Sequence, residues 1–129
     1  MSPSLRTRLD FYIVIWQYRH IEISEDRKLI EPQNRQRIAE VLKALGHPLR
    51  LQIVEALVSG PLNVRELEQR LEAPQAILSQ QLKVLRLNGV VEARRSNGFQ
   101  FYSLFNPHLV QLMQCLQKCQ GHCQSNEES

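Results

Sequence analysis

Asn63-Val-Arg-Glu-Leu-Glu-Gln-Arg-Leu-Glu-Ala-Pro-Gln-Ala-Ile-Leu-Ser-Gln-Gln-Leu-Lys-Val-Leu-Arg-Leu87 is the stretch whose reading decides the fold. It reads as two short helices joined by a tight corner. Asn63 suits the N-cap of the first. Val64, Leu67 and Leu71 repeat at helical spacing and give that helix one apolar face. Glu72-Ala73-Pro74 is the corner, because proline cannot continue one helix but can open the next. In the second helix Ile77 or Leu78, Leu82 and Leu85 point inward. Gln75, Ser79, Gln80, Lys83 and Arg86 are left on or near the outer side. Amides can pair bidentately with adenine edges, while Lys and Ser suit guanine edges or phosphates, so this face is what a base-reading helix needs. A helical hairpin with an ordinary solvated face is the alternative.

Outward from this pair, the C-terminal side reads as a β-hairpin. Val90–Arg95 and Phe99–Leu104 are its strands, and Ser96-Asn97-Gly98 is the turn, with Asn-Gly supplying the positive φ angles of a tight loop. Arg94 and Arg95 flank the tip beside Asn97. A basic hairpin after a helix-turn-helix is a winged helix in outline, with the arginines against phosphates or in a minor groove. Alternatively they guard a solvated strand edge. On the N-terminal side, Pro32–Leu45 is a helix with Ile38, Val41, Leu42 and Leu45 on one face, ended by Gly46 in the left-handed position. Pro48–Ser59 is a largely apolar helix, and Gly60-Pro61 breaks it. Asn106 caps and Pro107 opens a last helix whose stripe is Leu109, Leu112, Met113 and Leu116. The expected fold is mainly α with a small β-hairpin.

The 129 residues suffice for one domain with a modest core. We place that winged helix-turn-helix domain at residues 31–123, an N-terminal extension at 1–30 and a disordered polar tail at 124–129. The extension is ambiguous between strand and helix. It either packs on the domain or its dimer mate, is disordered, or reflects a wrongly chosen start. A net charge of +3 is compatible with nucleic acid without diagnosing it. No apolar run reaches the ~18 residues of a membrane span, and no cleavage site follows the apolar stretch near the start. A cytoplasmic protein without membrane association is expected.

Leu42-Lys-Ala-Leu-Gly-His-Pro-Leu-Arg-Leu51 resembles the opening signature of the ArsR/SmtB family of winged-helix repressors. So does Leu78-Ser-Gln-Gln-Leu-Lys-Val-Leu85, followed by Asn88-Gly-Val-Val91. The resemblance covers residues 35 to 120, and the family's usual His is Gln81 here, which bears on operator choice. It implies a homodimer through the first and last helices. It also implies two recognition helices in successive major grooves of double-stranded operator DNA and an inducer that releases the DNA. Nothing in the residues themselves pairs a nucleophile with a base or builds a phosphate loop.

The family's cysteine motif on the first helix of the pair is absent, which moves attention to Cys115, Cys119 and Cys123, spaced i, i+4, i+8. Three thiolates suit arsenite, As(III); Cd, Pb or Zn could add His122 or water. A helix rises ~6 Å per four residues, so the outer cysteines share an ion only if Gly121 allows a bend. A second reading follows the family's zinc site, whose register falls on Asn106, His108, Cys119 and His122. A third is thiol redox or persulfide sensing between Cys115 and Cys119, where a polysulfide is easier to close than a direct bridge. The bland reading makes Cys115 a small hydrophobe at a dimer interface. No cofactor is expected in the DNA-bound state.

Overall fold

The computed structural model describes residues 29–122 and divides the chain into two units, Met1–Arg35 and Gln36–Ser129. The expectations for residues 1–28, for Cys123 and for the tail 124–129 lie outside the described residues. A single 3-10 turn, Pro32–Asn34, precedes α1 (Arg35–Leu45). Then follow α2 (Pro48–Leu57), β1 (Leu62–Asn63), α3 (Val64–Leu71), α4 (Gln75–Leu87), β2 (Val91–Ser96), β3 (Phe99–Leu104) and α5 (His108–Cys119). Another 3-10 turn, Gln120–His122, ends the described chain.

The core is apolar throughout. Ile53 and Val54 from α2, Leu67 from α3, Leu78, Leu82 and Leu85 from α4, and Val90 are fully enclosed. Ala44, Leu45, Leu57, Leu62, Val91 and Leu109 complete it, and no polar or charged residue among the described ones is buried. The i, i+4, i+7 run of α4 thus docks one stripe of the helix on α2, α3 and the sheet, which leaves the opposite stripe outside.

The sheet has one more strand than the hairpin read from sequence. Leu62 and Asn63 form β1, pairing antiparallel with Tyr102 and Phe101, so the strand order is β1-β3-β2. β2 and β3 pair from Val91↔Leu104 to Ser96↔Phe99. The first strand therefore starts and ends one residue later than expected. Asn97 and Gly98 sit at φ +51° and +80°, the positive angles required by a two-residue hairpin loop.

Three local expectations need correction. Gly46 does not take the left-handed conformation; among the described residues those with positive φ are Glu72, Asn97, Gly60, Gly89 and Gly98. Only two residues separate α1 from α2, and the junction closes with tight bonds instead: Gly46 N–H donates to the Lys43 carbonyl and His47 N–H to that of Leu45. His47 Nδ1 then accepts from Leu49 N–H at 3.2 Å and caps α2, which stops two residues short of Ser59. On α1, Leu42 is 52% exposed while Ala44 is buried, so the inward face is rotated from the apolar stripe read from sequence.

Candidate nucleic-acid interface

The corner between α3 and α4 is built by local chemistry. Asn63 Oδ1 accepts from Glu66 N–H at 2.8 Å, and Glu66 Oε1 accepts from Asn63 N–H at 3.4 Å. This reciprocal capping box satisfies two orphan amides at the start of α3. Glu72 ends α3 in the left-handed conformation, φ +51°, and its N–H returns to the Glu68 carbonyl. Pro74 then leads into α4 with extended backbone. No side chain caps the N-terminus of α4, so its first N–H groups are available to water or to a phosphate oxygen.

With Leu78, Leu82 and Leu85 held inside, the outer face of α4 presents Gln75, Ser79, Gln80, Lys83 and Arg86, all exposed. Gln81 is half-buried at the margin of this face. Ile77 resolves outward, 43% exposed, and its choice over Leu78 was open in the sequence. It adds an apolar contact of the kind that meets a thymine methyl. Sequence reasoning missed that role; the signal was the adjacent pair of apolar residues competing for one inward position. α4 contains no Asp or Glu, so its outer face carries only positive charge.

The wing stands beside this helix, with β2 packed on α4. Residues 94–100 are all exposed, so the distal half of the ribbon projects from the body. Alternate residues of a strand face opposite ways, which puts Arg94 and Arg95 on opposite sides of the wing. Arg94 shares its side with Glu92, whose carboxylate lies 3.4 Å from the guanidinium. Ser103 Oγ donates to the same carboxylate at 3.5 Å. Arg95, on the other side, lies one step beyond the pair Ala93↔Tyr102. Asn97 is at the tip, exposed, with its backbone committed to the turn.

At the far end, Asn106 Oδ1 accepts from His108 N–H at 3.0 Å. But α5 starts at His108, one residue later than expected, so Pro107 and not Asn106 holds its N-cap position and no side chain caps it. His108 is exposed and its Nδ1 lies 3.3 Å from Gln111 Oε1. Leu109 is buried, Leu112 and Met113 are half-buried, and the distal half of α5 is exposed. Cys115 and Cys119 both lie on that exposed half, one turn apart. Cys115 is thus not a core residue of the single chain. Among the described residues no three His, Cys, Asp or Glu side chains converge as metal ligands; Cys123 lies outside them, and the His122 side chain is likewise not described. His108 and Cys119 are 11 residues apart on one helix, ~16 Å along its axis, so one chain alone cannot bring them to one ion. No described helix is long and apolar enough to cross a membrane.

Comparison with known proteins matches this geometry. Residues 47–93 fit the family model described as bacterial regulatory protein, arsR family. The biofilm growth-associated repressor of Xylella fastidiosa is 47% identical over 79 residues, 61% of this chain and 69% of that one. The transcriptional activator HlyU of Vibrio cholerae is 35% identical over 95 residues, covering 74% and 86%. The HlyU structure superposes with a TM-score of 0.64 over 73% of this chain and 100% of that one, at 34% identity. The homodimeric winged helix-turn-helix DNA-binding domain Mb0332 of Mycobacterium bovis superposes with a TM-score of 0.65 over 76% and 91%, at 26% identity.

Proposed function

The chain belongs to the arsR family of bacterial regulatory proteins and is a DNA-binding transcriptional regulator; from that premise we propose that it works as a homodimeric repressor, released from its operator when thiols on α5 are occupied. The observation that carries the reading is α4. Its buried Leu78, Leu82 and Leu85 fix the helix, and its carboxylate-free outer face stands next to a projecting basic wing. Gln75, Ser79, Gln80 and Lys83 would read bases, with Gln81 at the margin. Arg86, Arg94, Arg95 and Asn97 would hold the backbone.

Dimerisation through the first and last helices is supported by what they leave uncovered. Leu42 on α1 and Leu116 on α5 are large exposed apolar residues on the two elements concerned. The homodimeric state of Mb0332 supports a homodimer here. Repression is supported by the 47% identity to a named repressor, although HlyU is named an activator.

Sensing is assigned to α5 because α3, where a cysteine motif would otherwise sit, has none, while Cys115 and Cys119 are accessible and one turn apart. Two sulfurs suit a thiophilic ion, As(III), Cd, Pb or Zn, with Cys123 or His122 as further donors, or a polysulfide link. The zinc alternative through Asn106, His108, Cys119 and His122 is the weaker, because the Asn106 side-chain oxygen already accepts from His108 N–H. A ligand on α5 acts only through its differential affinity for two dimer shapes. The shape that binds DNA must set the recognition helices ~34–36 Å apart.

A gel shift on the regulator's own upstream DNA, with arsenite, cadmium, zinc and sulfane sulfur added in turn, tests both halves. Retarded DNA that is released by one of these agents, and not released from the Cys115→Ser/Cys119→Ser/Cys123→Ser protein, is the expected result. Release that persists in the triple variant removes the thiols from the account. No retarded complex at all removes the repressor.

A further inference from the structure

The wing carries more than charge at its tip. Phe99 opens β3 immediately after the Asn97-Gly98 turn, and 52% of its surface is exposed. Its cross-strand partner is Ser96, too small to cover the ring. One pair further down on the same side, Arg94 faces Phe101. A bulky aromatic at the end of a projecting ribbon gains hydrophobic free energy when another surface receives it. An apolar side chain at the tip of a narrow ribbon, with Arg94 on its own side and Arg95 on the other, matches one receiving surface well. In the minor groove, basic residues hold the backbone while Phe, Leu or Ile inserts between base steps and kinks the duplex.

We propose that Phe99 is the wedge of the wing. It enters the minor groove of double-stranded DNA and inserts part-way into a flexible pyrimidine–purine step flanking the major-groove half-site. It thereby selects sequence by deformability rather than by hydrogen bonds to base edges. This rests on the DNA-binding wing proposed above and adds a specificity element that charge does not supply. Phe105 is a built-in control. It is 59% exposed, but lies past the other end of β3, where its N–H donates to the Val90 carbonyl.

The test uses the full-length chain. The unaltered protein first selects duplexes from a random-sequence library. Phe99→Ala, Phe99→Leu and Phe105→Ala then repeat the selection and are titrated on the duplex won by the unaltered protein. 2-Aminopurine placed at the flanking step reports unstacking, and thermal melting confirms that each variant folds. The expected result is enrichment of TA or CA/TG steps outside the half-sites, with a rise in 2-aminopurine fluorescence on binding. Phe99→Ala should keep the half-site bases, lose the flanking preference and the fluorescence rise, and bind about tenfold more weakly per wing, the scale of one aromatic–base contact, or about a hundredfold for the two wings of a dimer. Phe99→Leu should retain part of each signal, and Phe105→Ala all of it. A Phe99→Ala protein that selects the same flanks, or that weakens without losing the fluorescence rise, overturns the wedge alone. An unaltered protein that selects no sequence overturns the DNA-binding reading and the wedge with it.

Discussion

Replacing Glu92 with Gln should strengthen DNA binding, although Glu92 is not itself one of the expected DNA contacts. Its carboxylate lies 3.4 Å from the guanidinium of Arg94, whose side chain is 80% exposed. Two unit charges at that distance attract by about 1 kcal/mol in water, and exposed pairs measure between about 0 and 1 kcal/mol. To hold a phosphate, Arg94 must give up that partner and bring a carboxylate toward a polyanion. Glu92→Gln removes both costs while keeping the shape and an oxygen for Ser103 Oγ. The gain is at most about fivefold per wing, or about thirtyfold for two wings at low salt. One more effective cation per wing should also steepen the plot of log K against log salt by roughly 0.9 for each. Fluorescence anisotropy at salt concentrations between about 50 and 200 mM measures both. The double variant Glu92→Gln/Arg94→Ala should lose the steeper salt slope and the part of the gain that came from freeing Arg94, because the charge that was unmasked is gone. Unchanged affinity and slope in Glu92→Gln, alongside a clear loss in Arg95→Ala, would show that Arg94 takes no part in binding and that only one side of the wing meets DNA.

Leu82→Ala, at a fully enclosed position on α4, should lower unfolding free energy by about 2–5 kcal/mol and abolish operator binding near the new melting point; denaturant titration checks it. Asn63→Ala breaks the capping box and should cost about 1 kcal/mol by the same measurement, with little change in the folded protein's affinity. Gly89 has φ +70°, and a Cβ there would lie 2.6 Å from an Arg37 guanidinium nitrogen. Gly89→Ala should therefore destabilise by about 1–3 kcal/mol, and adding Arg37→Ala should recover only the steric part, since the backbone strain remains.

The parts of this molecule that were legible in the sequence are those where one local rule dominates. Leu78, Leu82 and Leu85 repeat on a helical period and are all enclosed. Asn97-Gly98 is a dipeptide with one favoured turn, and Asn63 with Glu66 is a capping box by spacing alone. What escaped has non-local causes. β1 is two residues long, too short for any alternation, and exists because Tyr102 and Phe101 come to it from far along the chain. Gly46 looked like a left-handed helix end, but the helix that follows at once imposes a tighter junction. Leu42 is apolar and outside, while the smaller Ala44 is inside beside Leu45 in the core cluster, so the enclosed face is not the most apolar one. For the candidate site, the outer face of α4 was readable by subtraction from its buried stripe. The outward turn of Ile77, the split of Arg94 from Arg95 and the exposure of Phe99 needed the fold. Spacing placed Cys115 and Cys119 on one face of a helix; only the packing of α5 revealed that this face is accessible.

The central claim is that α4 and the wing read a specific DNA sequence. Its most direct measurement is the affinity of the full-length chain for its selected duplex and for a scrambled duplex of the same composition, side by side at about 150 mM salt. Binding at least roughly a thousandfold tighter to the selected duplex, lost in part on Lys83→Ala, is the predicted result. Equal affinity for both duplexes would contradict it.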